Sequence, residues 1–211
     1  MVKAKKQPDI IYREMMAEAL YRLESADKCL KNSNNYQDRV QVDSAILQMR
    51  KAMEAIAFSA IAPSKKLYEA RRGQKFRHDF RAKMIMSTLD AINPDFYPQP
   101  LVPAVFQQDE GWHFGRKTTG YMTRKCFENL YERLGKHLHT INPWRHDQDL
   151  HSLLNELPAA IDAAFELLEV HLAVIHTGPD TTQVWVVDAK RDGTVAMTIA
   201  MADGPCVIQP S

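Results

Sequence analysis

Between Val42 and Ala60 the apolar residues Val42, Ile46, Met49, Met53, Ile56 and Ala60 return at three- and four-residue steps, with helix formers between them. A stripe of that period leaves water only if a helix lays it against other elements. The centre of the chain is therefore helical. The pattern predicts a helix over residues 36–72, with Asn35 as N-cap, Pro63 as a kink or break, and Gly73 as C-cap.

Flanking segments repeat the pattern. Tyr12, Met16, Leu20, Leu23, Ala26 and Leu30 define a first helix over residues 9–31, closed by an Asn-rich stretch at 32–35. A third helix is predicted over 75–92. It ends at Asn93-Pro94, because the residue before a proline avoids the helical region. Phe127, Leu130, Tyr131, Leu134 and Leu138 mark a fourth over 123–139. Leu150, Leu153, Leu157, Ile161, Phe165 and Leu168 mark a fifth over 149–170, bent at Pro158. Residues 93–120 read as a long loop in which 102–107 and 112–114 can pair as short strands. The texture then changes: 171–176, 183–189 and 194–202 read as three strands, with turns at Gly178-Pro179 and Asp192-Gly193. The expected fold is mainly α (α+β), in one domain. A five-helix bundle over 8–171 carries a small C-terminal three-stranded antiparallel sheet, a meander over 172–209. So small a sheet needs cover, and with the long second helix it points to a homodimer.

Of the 211 residues, Lys and Arg number 27 and Asp and Glu 26, so the chain is nearly neutral, but its charges are segregated. Residues 65–83 hold eight basic and two acidic side chains, 116–136 six and two, and 147–211 two and ten. Such asymmetry marks either an anion-binding face or parts that neutralise one another in the fold. No apolar run approaches the roughly 20 residues of a membrane helix. Residues 1–8 are basic and polar and lack the apolar stretch of a secretory signal. Cys29, Cys126 and Cys206 have no metal or redox spacing, so buried free thiols in a reducing, cytoplasmic compartment are expected.

Two stretches carry chemistry. Residues 132–151, ERLGKHLHTINPWRHDQDLH, hold four of the eight histidines. Arg133 and His137, four apart, share a helix face. Arg133 and His139, six apart, converge only if the helix ends near His139. Asp147 and His151 are also four apart, and His139 and His146 could approach them. No familiar metal motif is present, and no metal or cofactor is expected. The structural alternative is that Arg133 and Lys136 complement a helix C-terminus while the histidines cap carbonyls. In the second stretch, Tyr68, Phe76 and Phe80 interleave with Lys65, Lys66, Arg71, Arg72, Lys75, Arg77 and Arg81. Stacking aromatics and phosphate-seeking cations suit RNA; core aromatics beside a solvated charged face would look the same. His171 and His176 bracket a strand without evident partners. Glycine-rich phosphate loops, dinucleotide fingerprints and Gly-x-Ser-x-Gly are absent from the sequence.

Arg50-Lys-Ala-Met-Glu54 on the long helix, and Arg133 followed by His139 on a later one, make residues 42–165 resemble the HEPN superfamily (higher-eukaryote and prokaryote nucleotide-binding). The resemblance implies a helical bundle, usually dimeric. Active members carry an Arg, four to six residues and then a His, and cut RNA without a metal. It makes Arg133 and His139, with His137 beside them, the catalytic candidates of a ribonuclease in a bacterial toxin–antitoxin or phage-defence system. A histidine would move the proton and an arginine would steady the phosphate. The C-terminal sheet lies outside the resemblance. The other expectation is a non-catalytic interaction or assembly subunit with a protein partner.

Overall fold

The computed structural model describes residues 6–108, 111–140, 144, 149–176 and 182–202. Helix α1 (Pro8–Lys31) starts on a proline, whose missing N–H is no loss in a first turn. Its surface carries four ion pairs at four-residue spacing, Asp9–Arg13, Glu18–Arg22, Glu24–Lys28 and Asp27–Lys31. Its other face buries Met16, Leu20 and Leu23 against α2 (Arg39–Ile61). The connection passes through three left-handed residues, Asn34, Asn35 and Tyr36. The cap of α2 is consequently Asp38, not Asn35: its carboxylate accepts from the N–H groups of Val40 and Gln41 at 3.0 and 3.2 Å.

The long helix expected over 36–72 is two helices. α2 stops at Ile61, just ahead of Pro63, and α3 (Lys65–Arg72) follows. Gly73, with φ +60°, then passes the chain into a 3-10 turn over Gly73–His78. The helix expected over 75–92 survives only as α4 (Ala82–Asp90). Asp79 breaks it by turning inward, where its carboxylate accepts from the Tyr68 hydroxyl at 2.8 Å and from the Arg72 guanidinium.

The proline-rich stretch after α4 supplies β1 (Gln99–Pro100), and β2 (Val105–Gln107) pairs with β3 (Gly111–His113) as a hairpin. Helix α5 (Arg124–Lys136) is capped by the Thr123 hydroxyl and ends short of His139. Helix α6 (Asp149–Leu168) carries Pro158 within it. Strands β4 (Val170–His176), β5 (Thr182–Ala189) and β6 (Val195–Ala202) complete an antiparallel sheet of order β1-β4-β5-β6. Among the described residues the architecture is thus mainly helical, with six α-helices in place of five and a four-stranded sheet in place of a three-stranded one. The added strand pairs at an edge, where proline's missing donor is tolerated. The turn at Gly178-Pro179 and the end of the meander, 203–209, lie outside the described residues.

One core joins helices and sheet, running from Tyr12 and Met16 through Ile46, Met53 and Phe165 to Trp185 and Val187. Each such aliphatic side chain contributes about 1.5–3 kcal/mol by leaving water. At its centre the Tyr12 hydroxyl donates to Nε2 of His171 at 2.7 Å, and His171 Nδ1–H donates to the Leu168 carbonyl at 2.8 Å. The Tyr12 and Trp185 rings pack nearly perpendicular, with centroids 5.4 Å apart. Asn93 ties the end of α4 to the sheet by donating to the Val174 carbonyl at 2.8 Å. Cys29 is half-buried and Cys126 is exposed, so the expected burial fails for Cys126; Cys206 lies outside the described residues. Among the described residues no helix is long and apolar enough to cross a membrane.

Candidate functional site

The two chemistry-bearing stretches occupy different elements. At the end of α5, Arg133 projects toward α6. It donates to Glu156 at 2.5 and 3.4 Å and to Asp149 at 3.1 Å. Burial alone would lift the Asp149 carboxyl, but the hydrogen bond and charge of Arg133 bring it below its ordinary range. Arg133 and then Ser152 do the same for Glu156. His137, at the helix end, is buried. Its Nε2 lies 3.8 Å from Asp149 and has no hydrogen-bond partner among the described residues. His139 is exposed, beyond the helix, on the rim of a groove of about 680 Å³. The opposite wall is the start of α2, with Arg39, Asp43 and Leu47. The structure therefore gathers Arg133 and His137 around Asp149. No hydrogen bond or ion pair joins His139 to Arg133 among the described residues. Arg145, His146 and Asp147 lie outside the described residues, among which no cluster of three metal-ligating side chains occurs.

The Arg50 and Glu54 positions that carry the resemblance tie α2 to α5. The Arg50 guanidinium stacks on the Tyr131 ring at 3.9 Å and donates to the Tyr131 carbonyl at 2.9 Å. The Tyr131 hydroxyl donates to Glu54 at 2.9 Å.

The basic stretch divides by partner. Arg72 is taken by Asp79, which is nearly buried, in a two-pronged ion pair at 2.5 and 2.9 Å. Arg72, against the effect of burial, holds the Asp79 carboxyl below its usual range, while burial first and Asp79 second push the Tyr68 hydroxyl up. The other six cations, Lys65, Lys66, Arg71, Lys75, Arg77 and Arg81, form no ion pair among the described residues. Arg77 lies over the Phe76 ring at 5.9 Å and Arg81 over Phe80 at 5.7 Å. Phe76 is half-buried against the core, as expected of a core aromatic, but Phe80 is 64% exposed. Lys65 and Lys66 also wall a groove of about 600 Å³ between the start of α1, the start of α3 and His176 on the sheet.

Exposed phenylalanine beside unneutralised arginine is a combination that helical periodicity did not reveal, because periodicity assigns both aromatics to one face. The buried Tyr12–His171 pair joins residues 159 apart in sequence and left no local signal. His176, likewise, meets Asp95 at 3.0 Å across the fold. No protein-family model, curated protein or solved structure matches the chain. Its function is therefore argued from the chemistry of these residues.

Proposed function

We propose that this chain is a HEPN-like RNA-binding module whose contact surface is residues 65–81. The supporting observation is the segment's charge: six cations that form no ion pair among the described residues, beside an exposed Phe80 that Arg81 overlies. Cations of this kind release counterions when they meet phosphates, and that release drives binding. An exposed aromatic face offers a base something to stack on, which single strands permit and duplexes do not. The preferred ligand is accordingly single-stranded RNA. Fluorescence anisotropy with labelled single-stranded and duplex RNA tests this reading. Single strands bind more tightly, and Phe80→Ala weakens them by about tenfold, within the range of one lost base stack. Equal affinity for duplex and single strand, unmoved by Phe80→Ala, contradicts it.

Cleavage at the end of α5 is the second reading. The exposed His139 on an open groove favours it, since an imidazole there can reach a bound ribose. The clasp on Arg133 counts against it, because that guanidinium would have to leave two carboxylates to meet a phosphate. Incubating RNA in chelator with wild type, Arg133→Ala, His137→Ala and His139→Ala decides the point. Loss of cleavage in the folded variants supports the site; equal cleavage, or none by wild type, removes it.

A further inference from the structure

β6 closes one side of the sheet, and no strand lies beyond it among the described residues. Natural sheets protect such edges with lysines, prolines, bulges or covering elements. β6 has none of the first three: Val195–Ala202 carries no charge and no proline, and it pairs with β5 in unbroken register from Val195↔Ala189 to Ala202↔Thr182. Along its core-facing row, Val195 and Met197 are half-buried against the core. Ile199 and Met201, further along the same row, are 48% and 60% exposed.

We propose that β6 pairs antiparallel with β6 of a second copy of this chain, joining two four-stranded sheets into one across a two-fold axis. Three features point to a second copy. An uncharged edge meets its own copy without like-charge repulsion, whereas one bearing lysines would not. A two-fold axis normal to the sheet makes the two strands antiparallel and keeps each copy's Val195–Met201 row on the same face, so both cores stay on one side. Antiparallel pairing also sets the exposed half of one row beside the covered half of the other. The helical layer that half-buries Val195 and Met197 in one copy then lies next to Ile199 and Met201 of its partner. The interface is one strand wide, so the dimer is weak, with a dissociation constant on the order of 1–100 µM.

Sedimentation velocity of the full chain over that concentration range tests the proposal. Wild type shifts from monomer to dimer. Ile199→Lys/Met201→Lys stays monomeric with unchanged circular dichroism and melting temperature. Thr198→Lys, exposed on the opposite face of the same strand, also stays monomeric, and it repeats the test with a side chain outside the core-facing row. Val40→Lys, on the exposed start of α2, dimerises like wild type. The proposal is overturned if wild type is monomeric throughout, if folded β6 variants dimerise normally, or if Val40→Lys alone abolishes the dimer.

Discussion

A Cβ on Gly135 would lie 2.6 Å from Nη1 of Arg50. The arginine occupies the space a side chain at this position would take, and from there it reaches the Tyr131 carbonyl and ring. Gly135 therefore leaves room for the Arg50 guanidinium between α2 and α5. In an isolated helix, Gly→Ala gains about 1 kcal/mol. Here it displaces Arg50 and forfeits a charged hydrogen bond worth about 1.5–3 kcal/mol and a cation–π contact worth about 0.5–1 kcal/mol. Gly135→Ala is expected to destabilise the protein by about 1–3 kcal/mol in urea unfolding. In an Arg50→Ala background the same change becomes neutral or stabilising. Additivity of the two substitutions would contradict the arrangement.

His171 predicts a pH dependence of stability. Burial lowers its pKa from 6.5 to about 4, against the opposing hydrogen bond to Leu168. Between those values the unfolded chain takes up a proton that the folded chain refuses. Stability is full above the unfolded pKa and falls as pH drops toward the folded one. The loss is about 2 kcal/mol near pH 5 and about 3 kcal/mol once both forms are protonated. His171→Gln removes this contribution. Denaturant unfolding of both proteins across the range checks it, and parallel pH profiles would show that His171 is not the group responsible.

Arg71 and Arg72 are adjacent in sequence but differ in role. Arg72 is engaged by Asp79, and Arg71 is exposed and forms no ion pair among the described residues. Arg72→Gln is expected to lower the melting temperature, with RNA affinity changed only through the folded fraction. Arg71→Gln leaves melting unchanged and reduces the salt slope of RNA binding by about 0.7, the share of one phosphate contact on a single strand. Thermal melts and anisotropy of both variants read the two effects separately.

The clasp on Arg133 makes a prediction of its own. With Glu156 and Asp149 holding the guanidinium, Arg133→Ala leaves RNA affinity within about twofold of wild type, because no phosphate contact is lost. The two carboxyl groups rise toward their ordinary pKa values once their partner is gone, which carboxyl-resolved NMR titration measures. A large fall in RNA affinity with the fold intact would instead place Arg133 at the phosphate.

Much of the fold follows from local pattern. The stripes of α1, α2, α5 and α6 and the alternation of β5 and β6 are set by residues close in sequence. What escapes such reading depends on distant partners. Asp79 breaks a predicted helix because Arg72 and Tyr68 claim its carboxylate. β1 forms from proline-rich chain because β4 offers it an edge. At the candidate site, the basic residues of 65–81 were legible as a set. Which of them lacks a carboxylate was not, because that depends on how Asp79 turns and on where the acids of α6 fall. Phe80's exposure follows from the same break, which takes it out of the helix that would have buried it beside Phe76.

The central claim is that the cations of 65–81 that form no ion pair among the described residues bind single-stranded RNA. Its most direct measurement is the salt dependence of RNA affinity for wild type and for Lys65→Ala/Lys66→Ala/Arg71→Ala/Lys75→Ala, which spares the structural Arg72. If all six cations meet phosphates, the wild-type log–log slope is about −4, and the fourfold variant loses about 3 of it, with at least about tenfold weaker binding. Melting temperature stays unchanged. Failure of wild type to bind RNA, or an unchanged slope in the folded variant, would contradict the account.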